Sequence, residues 1–144
     1  MKITYRESKE FTPAQLEDLF SSVKWESGKY PNRLAEGMKN SSVVISAWDR
    51  DTLVGLVRSL DDGATTAFLH YLLVRPAYQK LRIGYALMEK MMRHYTDFLY
   101  VKIMPSDKAV VPFYQKFGFK NFDNYCALEV KNLGRVADKI PSGR

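Results

Sequence analysis

The run Leu72-Leu73-Val74-Arg75-Pro76-Ala77-Tyr78-Gln79-Lys80-Leu81-Arg82-Ile83-Gly84-Tyr85-Ala86-Leu87 constrains the fold more than any other part of the chain. It reads as the end of an apolar strand, a turn marked by Pro76, and a helix that begins near Tyr78 or Gln79 with a basic first turn. The strand itself, Ala67 to Val74, is almost continuously apolar, as suits a central strand covered on both faces. A strand that feeds a helix packs back onto its own sheet, so a layered α/β arrangement follows. The start of such a helix carries unpaired N–H groups and a partial positive charge, so this turn is able to hold a phosphate through its main chain.

The flanking sequence supplies the other layers. Ile3 and Tyr5 alternate with polar neighbours, as in a short first strand. Thr12-Pro13-Ala14-Gln15 has the cap, the proline and the Gln three residues on that open a helix, and Leu16, Leu19, Phe20 and Val23 give it an apolar face. A second short helix is expected from Asn32 to about Lys39. Val43 to Trp48 and Leu53 to Arg58, separated by Asp49-Arg50-Asp51, form an antiparallel hairpin. Phe98 to Met104 is a further strand, and a fourth helix carries Val110, Val111, Phe113, Tyr114 and Phe117 up to Gly118. Phe119 to Val130 is expected to add one or two closing strands. The expected fold is α/β: a mixed, mostly antiparallel sheet of about six or seven strands with about four helices on both faces. One domain fills residues 1–144, its core within 1–130 and a peripheral tail at 131–144.

Charge and cysteine content narrow the class of function. Lys plus Arg number 22 against 16 Asp plus Glu, for a net charge of +6, which favours anionic ligands such as a polyphosphate cofactor. The basic residues are scattered and no nucleic-acid-binding motif accompanies them, so no nucleic-acid partner is expected. The single Cys126 allows no internal disulfide. No apolar run reaches the roughly 20 residues that span a bilayer, and the first residues lack the apolar stretch of a signal peptide. These features predict a cytoplasmic protein with no membrane partner. No cluster of His, Cys, Asp and Glu has metal-ligand spacing, so no metal is expected.

Two segments resemble a known family. Gln79-Lys80-Leu81-Arg82-Ile83-Gly84-Tyr85-Ala86 is similar to the Gln/Arg-x-x-Gly-x-Gly/Ala signature of the GNAT family of N-acetyltransferases, and it follows an apolar strand and Val-Arg-Pro as it does there. Val110-Val111-Pro112-Phe113-Tyr114-Gln115-Lys116-Phe117-Gly118-Phe119 resembles the family's later Tyr-x-x-x-Gly-Phe segment, with wording close to arylalkylamine-type members. The resemblance implies acetyl-CoA as acyl donor, with the main chain of Gln79, Lys80, Leu81, Arg82, Ile83, Gly84, Tyr85 and Ala86 around its pyrophosphate. It implies that Leu72, Leu73 and Val74 pair with pantetheine through their backbones. It also implies that Tyr114 serves as general acid toward the leaving thiolate. His70, on the central strand four residues before Val74, is the base candidate; alternation puts the two on one strand face. Asp107 stands where relatives carry an Asn at the cofactor, although as Asp it also suits a helix cap. Trp25 and Tyr30, in the loop between the first two helices, are candidate walls of an acceptor pocket.

Arg82 departs from the signature, which has glycine there. A helix-compatible backbone is expected at Arg82, with a guanidinium able to reach phosphate. Tyr114, His70, Trp25 and Tyr30 also suit ordinary packing. The resulting reading is an acetyl-CoA-dependent transfer of acetyl to a primary amine of a small molecule or peptide, by direct attack. The alternative is a non-catalytic acyl-CoA-binding or interaction module on the same fold. Family analogy allows a homodimer.

Overall fold

The computed structural model describes residues 2–142. One mixed sheet holds five strands in the order β1-β2-β3-β4-β5. They are β1 (Ile3–Glu7), β2 (Val43–Asp49), β3 (Thr52–Asp61), β4 (Thr66–Val74) and β5 (Tyr100–Ile103). The pairs from β1 through β4 are antiparallel, while β4 and β5 run parallel. The helices are α1 (Pro13–Ser22), α2 (Pro31–Lys39), α3 (Ile83–Met92) and α4 (Val111–Gln115).

The expected layers form. Leu16, Leu19 and Phe20 of α1 and Leu34 and Met38 of α2 pack on Val44, Trp48, Leu53, Leu56 and Leu73 on one face of the sheet. On the other face, Ile83, Leu87, Met88 and Met91 of α3 and Tyr114 of α4 pack on Ile45, Ala47, Val54, Val57, Ala67 and Leu69. Each such large apolar side chain contributes roughly 1.5–3 kcal/mol on burial. The α1 start is a capping box: the Gln15 N–H donates to Thr12 Oγ1 at 3.1 Å and the Thr12 N–H to Gln15 Oε1 at 3.0 Å.

Two expectations are corrected here. The sheet has five strands among the described residues, not six or seven. Residues 119–130 form no strand, and Tyr125, Leu128 and Val130 are 71%, 88% and 86% exposed. The run Lys120-Asn121-Phe122-Asp123-Asn124 explains this. Asn and Asp favour turns over strands, and the Tyr125 N–H donates back to the Phe122 carbonyl at 3.3 Å in a local turn. The second correction is that α3 begins at Ile83, beyond the Tyr78 or Gln79 expected. Pro76–Tyr78 is a separate 3-10 turn, and both Lys80 (φ 68°) and Arg82 (φ 62°) are left-handed, which no α-helix accommodates.

The tail after Lys131 is largely exposed, yet it is tied to α2. Asp138 accepts from the backbone N–H groups of Asn32 (3.1 Å) and Arg33 (2.9 Å), capping the first turn of α2 from outside the helix. Tyr30 Oη accepts from the Gly134 N–H at 2.6 Å, and Arg33 Nε donates to the Ala137 carbonyl at 2.9 Å.

Candidate active site

Strand β4 outruns its parallel neighbour. The β4–β5 ladder ends at Leu69 opposite Ile103, whereas β4 continues to Val74. His70 to Val74 therefore keep β3 on one side and have no strand on the other among the described residues. A strand edge of this kind offers backbone donors and acceptors to an extended ligand. Gly55 makes the β3 side possible, since a Cβ there would lie 3.0 Å from the Leu73 carbonyl oxygen. Gln79 reaches back and donates from Nε2 to the Val74 carbonyl at 3.0 Å.

The start of α3 lies just beyond this edge. Its first intrahelical bond is Ala86 N–H to the Arg82 carbonyl, at 3.1 Å, and no side chain caps the helix. Box-capped α1 and Asp138-capped α2 differ in this respect. The left-handed Lys80 and Arg82 curl the preceding backbone into a concave turn of the sort that gathers N–H groups around an anion. Arg82 is thus corrected from helix-compatible to left-handed: it keeps the glycine-like conformation of the signature without the glycine. Its guanidinium stacks on Tyr85, with Cζ 4.6 Å from the ring centre. Ile83 is buried, so only its backbone is available, while Leu81 is half exposed. A Cβ on Gly84 would come no closer than 3.7 Å to Phe113 and 3.9 Å to Val74. Packing therefore does not demand glycine there, and its absent side chain leaves room over the helix start. The turn fits a pyrophosphate held mainly by main chain.

Tyr114 is buried in the cluster that also contains Leu72, Val74 and α3. Its ring meets Phe113 and Phe119 edge to face, with centres 5.1 and 6.1 Å apart. Burial alone pushes its pKa up to about 12, so the phenol holds its proton throughout the neutral range.

The opposite face of β4 is shaped by a bulge. Val57 pairs with Leu72 and Ser59 with Leu69, so Arg58 alone opposes both His70 and Tyr71. Tyr71 absorbs the extra residue with φ 71°. The bulge breaks the alternation that would have put His70 with Val74. His70 and Tyr71 instead stack together, ring centres 4.0 Å apart, on the α1–α2 side, while Leu72 and Val74 face α3. Arg58 is 8% exposed and binds the bulge three ways: Nε to the His70 carbonyl at 3.2 Å, Nη2 to His70 Nδ1 at 3.1 Å and Nη1 to Ser41 Oγ at 3.3 Å. A guanidinium only donates, so His70 Nδ1 accepts and the ring proton sits on Nε2. Burial first, then the Arg58 charge, lower the His70 pKa, against a weaker upward pull from Glu129. His70 is thereby neutral at pH 7.

Beside this cluster lies a cavity of about 240 Å³ between α2 and the sheet, lined by Ser27, Tyr30, Arg33, Leu34, Gly37, Met38, Arg58 and Tyr71 and, from the tail, by Asn132, Leu133 and Val136. Tyr30 is among its lining residues. Trp25 sits behind it, its ring 6.3 Å from that of Tyr71, and Ser27 Oγ hydrogen-bonds Tyr71 Oη at 3.0 Å.

This geometry joins a strand edge left free beyond Leu69, an uncapped helix start beside it, and Tyr114 and His70 on opposite sides of the sheet. The sequence model of the acetyltransferase (GNAT) family matches residues 5–119. The chain belongs to the GNAT family. Solved GNAT relatives share the whole fold. An acetyltransferase of the family from Streptococcus pneumoniae is 25% identical, with a TM-score of 0.77 over 90% of this chain and 98% of its own. A structure described as a putative acetyltransferase from Deinococcus radiodurans is 27% identical, with a TM-score of 0.77 over 92% and 90%. Among curated relatives, an uncharacterized N-acetyltransferase of Prochlorococcus marinus is 28% identical over 73% of this chain and 61% of its own length. A serotonin N-acetyltransferase of Mesocricetus auratus is 31% identical over 68% and 48%. The chain thus spans about half to three-fifths of the length of these curated relatives. A more distant neighbour from Clostridium acetobutylicum, 14% identical with a TM-score of 0.67, is described with acetyl-CoA.

Asp107 caps the short turn Lys108–Val110, accepting from the Ala109 N–H at 3.0 Å. Cys126 is exposed, and His94 pairs with Glu7 at 2.5 Å, away from β4. No group of three or more His, Cys, Asp or Glu among the described residues could hold a metal. No helix among them is long and apolar enough to cross a membrane. Sequence reasoning missed Arg58, Tyr71, Ser27 and the tail. Arg58 left a trace, as a charge at the end of the otherwise apolar Leu53-Val54-Gly55-Leu56-Val57; the bulge at Tyr71 left none.

Proposed function

We propose that this GNAT chain is an acetyl-CoA-dependent N-acetyltransferase that delivers acetyl directly to a primary amine of a small molecule or peptide. The observation that carries this reading is the pairing of the free β4 edge at Leu72 to Val74 with the uncapped start of α3 at Ile83 and Gly84. Together they suit an extended chain ending in a pyrophosphate. Bound acetyl-CoA would supply an activated acetyl thioester.

The protein's own groups then position and move protons. Backbone N–H groups from Leu81 to Ala86 would hold the phosphates, and the β4 edge would fix the pantetheine arm and polarise the thioester oxygen. His70 takes a proton from the amine, which attacks only when neutral. Its low pKa keeps it in the base form at pH 7; its one lone pair, on Nδ1, is held by Arg58 Nη2 at 3.1 Å, so taking the proton requires that single contact to open while the Arg58 Nε bond to the His70 carbonyl stays. Tyr114, reached from the other face, donates to the departing thiolate. A phenol at about 12 is a weaker acid than an ordinary thiol at about 8.5. It therefore acts by hydrogen-bonding the developing thiolate charge and keeps its own proton, and the released thiolate takes its proton from water.

The deciding experiment measures thiol release from acetyl-CoA across amines, polyamines, amino acids and peptides. Release that depends on one class of amine supports the enzyme. Thermal stabilisation by acetyl-CoA with no release on any amine would replace this reading with the acyl-CoA-binding module.

A further inference from the structure

The cavity beside His70 carries an imbalance of charge. Two guanidinium side chains, Arg58 and Arg33, line it, and no Asp or Glu does. Arg58 is 8% exposed and has no carboxylate within ion-pair distance among the described residues. Burying a cation without a counter-ion is costly, and structures normally pair such charges. Glu129, the acid that acts on His70, is exposed and engages Lys131 at 3.3 Å. Tyr71 offers only its ring face to Arg58, 4.9 Å away. Three of the five guanidinium N–H groups of Arg58 are spent on His70 and Ser41, which leaves two to donate.

The geometry points to an acceptor that brings its own anion: a small amine bearing a carboxylate or phosphate, held by the free N–H groups of Arg58 while its amino group lies toward His70. This inference rests on the N-acetyltransferase reading for the amine, but the anion site stands on the cavity alone. A bare amine is cationic in solution and is repelled by a pocket with two arginines and no acid. An amine with a carboxylate or phosphate replaces the missing counter-ion and offsets that repulsion. A cavity of about 240 Å³ has room for an amino acid or a small phosphoamine. Arg58 is fixed for this task because its Nε bond to the His70 carbonyl also holds the bulge that puts Tyr71 on the cavity wall, with His70 stacked beside Tyr71.

The test uses matched pairs that differ only in the anion: phenylalanine against phenethylamine, and phosphoethanolamine against ethanolamine. Binding of each to the CoA-saturated protein is read by calorimetry, and turnover separately by thiol release. The wild-type protein is expected to bind the anionic member of at least one pair roughly 10- to 100-fold more tightly, the span of a hydrogen bond between charged groups. The pair that shows the preference identifies carboxylate or phosphate. Arg58→Gln should abolish the preference and Arg58→Lys should keep part of it, with melting curves reporting whether each variant folds. Binding of both members of both pairs within threefold in the wild type, a comparison that requires no variant, overturns the proposal. So does an undiminished preference in folded Arg58→Gln. A preference for the anionic member without turnover on any amine would uphold the Arg58 site and sink the acetyltransferase reading instead.

Discussion

At the residue scale, the proposed mechanism rests on three side chains, Tyr114, His70 and Arg58, and on what surrounds each. Tyr114 sits in an apolar cluster that keeps its phenol protonated, so it can donate and cannot act as a base. Tyr114→Phe removes only the hydroxyl and should leave acetyl-CoA affinity and the melting temperature unchanged while lowering kcat by about 100-fold; titration calorimetry beside steady-state kinetics checks both halves. His70 is shifted the other way. Because burial and Arg58 lower its pKa, the base form persists down to pH values below the ordinary 6.5. Activity should therefore hold from neutral pH to below about 6.5 and fall only as the pH drops through the lowered value. A kcat/KM profile shows this acid limb, and His70→Gln should flatten it. Arg58 is the residue whose importance the chain hides best: a lone cation at the end of an apolar run that orders the bulge, the His70 tautomer and the cavity together.

At the element scale, the ends of secondary structure decide more than their middles. α1 and α2 have caps that satisfy their first N–H groups, and α3 does not. The cause lies just before it, where left-handed Lys80 and Arg82 stop the chain from turning helical earlier. A non-glycine residue in that conformation costs on the order of 1 kcal/mol, partly offset by the Arg82 stack on Tyr85. Gly84→Ala separates folding from binding at this helix start. The added methyl would meet Phe113 and Val74 at ordinary contact distances of 3.7 and 3.9 Å, and alanine favours a helix over glycine by roughly 0.5–1 kcal/mol. Stability in denaturant should stay level or rise, whereas acetyl-CoA affinity should weaken about tenfold through loss of close backbone contact. Strand β4 is divided in the same way. Its first half is locked between β3 and β5, and its second half is free on one side and bulged on the other.

At the scale of the whole molecule, a two-faced core supports a site placed where the sheet opens. The ladders of β2, β3 and β4 hold that core, and residues 119–130 contribute none of their backbone to it. Hydrogen exchange should therefore protect amides of β2 to β4 by orders of magnitude over those of 119–130, read by mass spectrometry of the ligand-free protein. Much of this was legible beforehand. The apolar run from Ala67 to Val74 had to be central, Thr12 to Gln15 had to start a helix, and the alternation of Val43 to Arg58 had to make a hairpin. Each of these follows from periodicity or local hydrogen bonding carried by neighbours in the chain. The Gln79 to Ala86 and Tyr114 to Phe119 segments also located both halves of the candidate site. The sequence determined these because they depend on contacts a few residues long. The register slip that sets one residue of β3 against two of β4 needs both strands in place, as does the reversal of His70 relative to Val74. The external cap that Asp138 gives α2, and the cavity wall that the tail supplies, join residues about a hundred positions apart. Only the tertiary structure decided those, because an unpaired buried charge and a strand bulge are properties of what surrounds a residue.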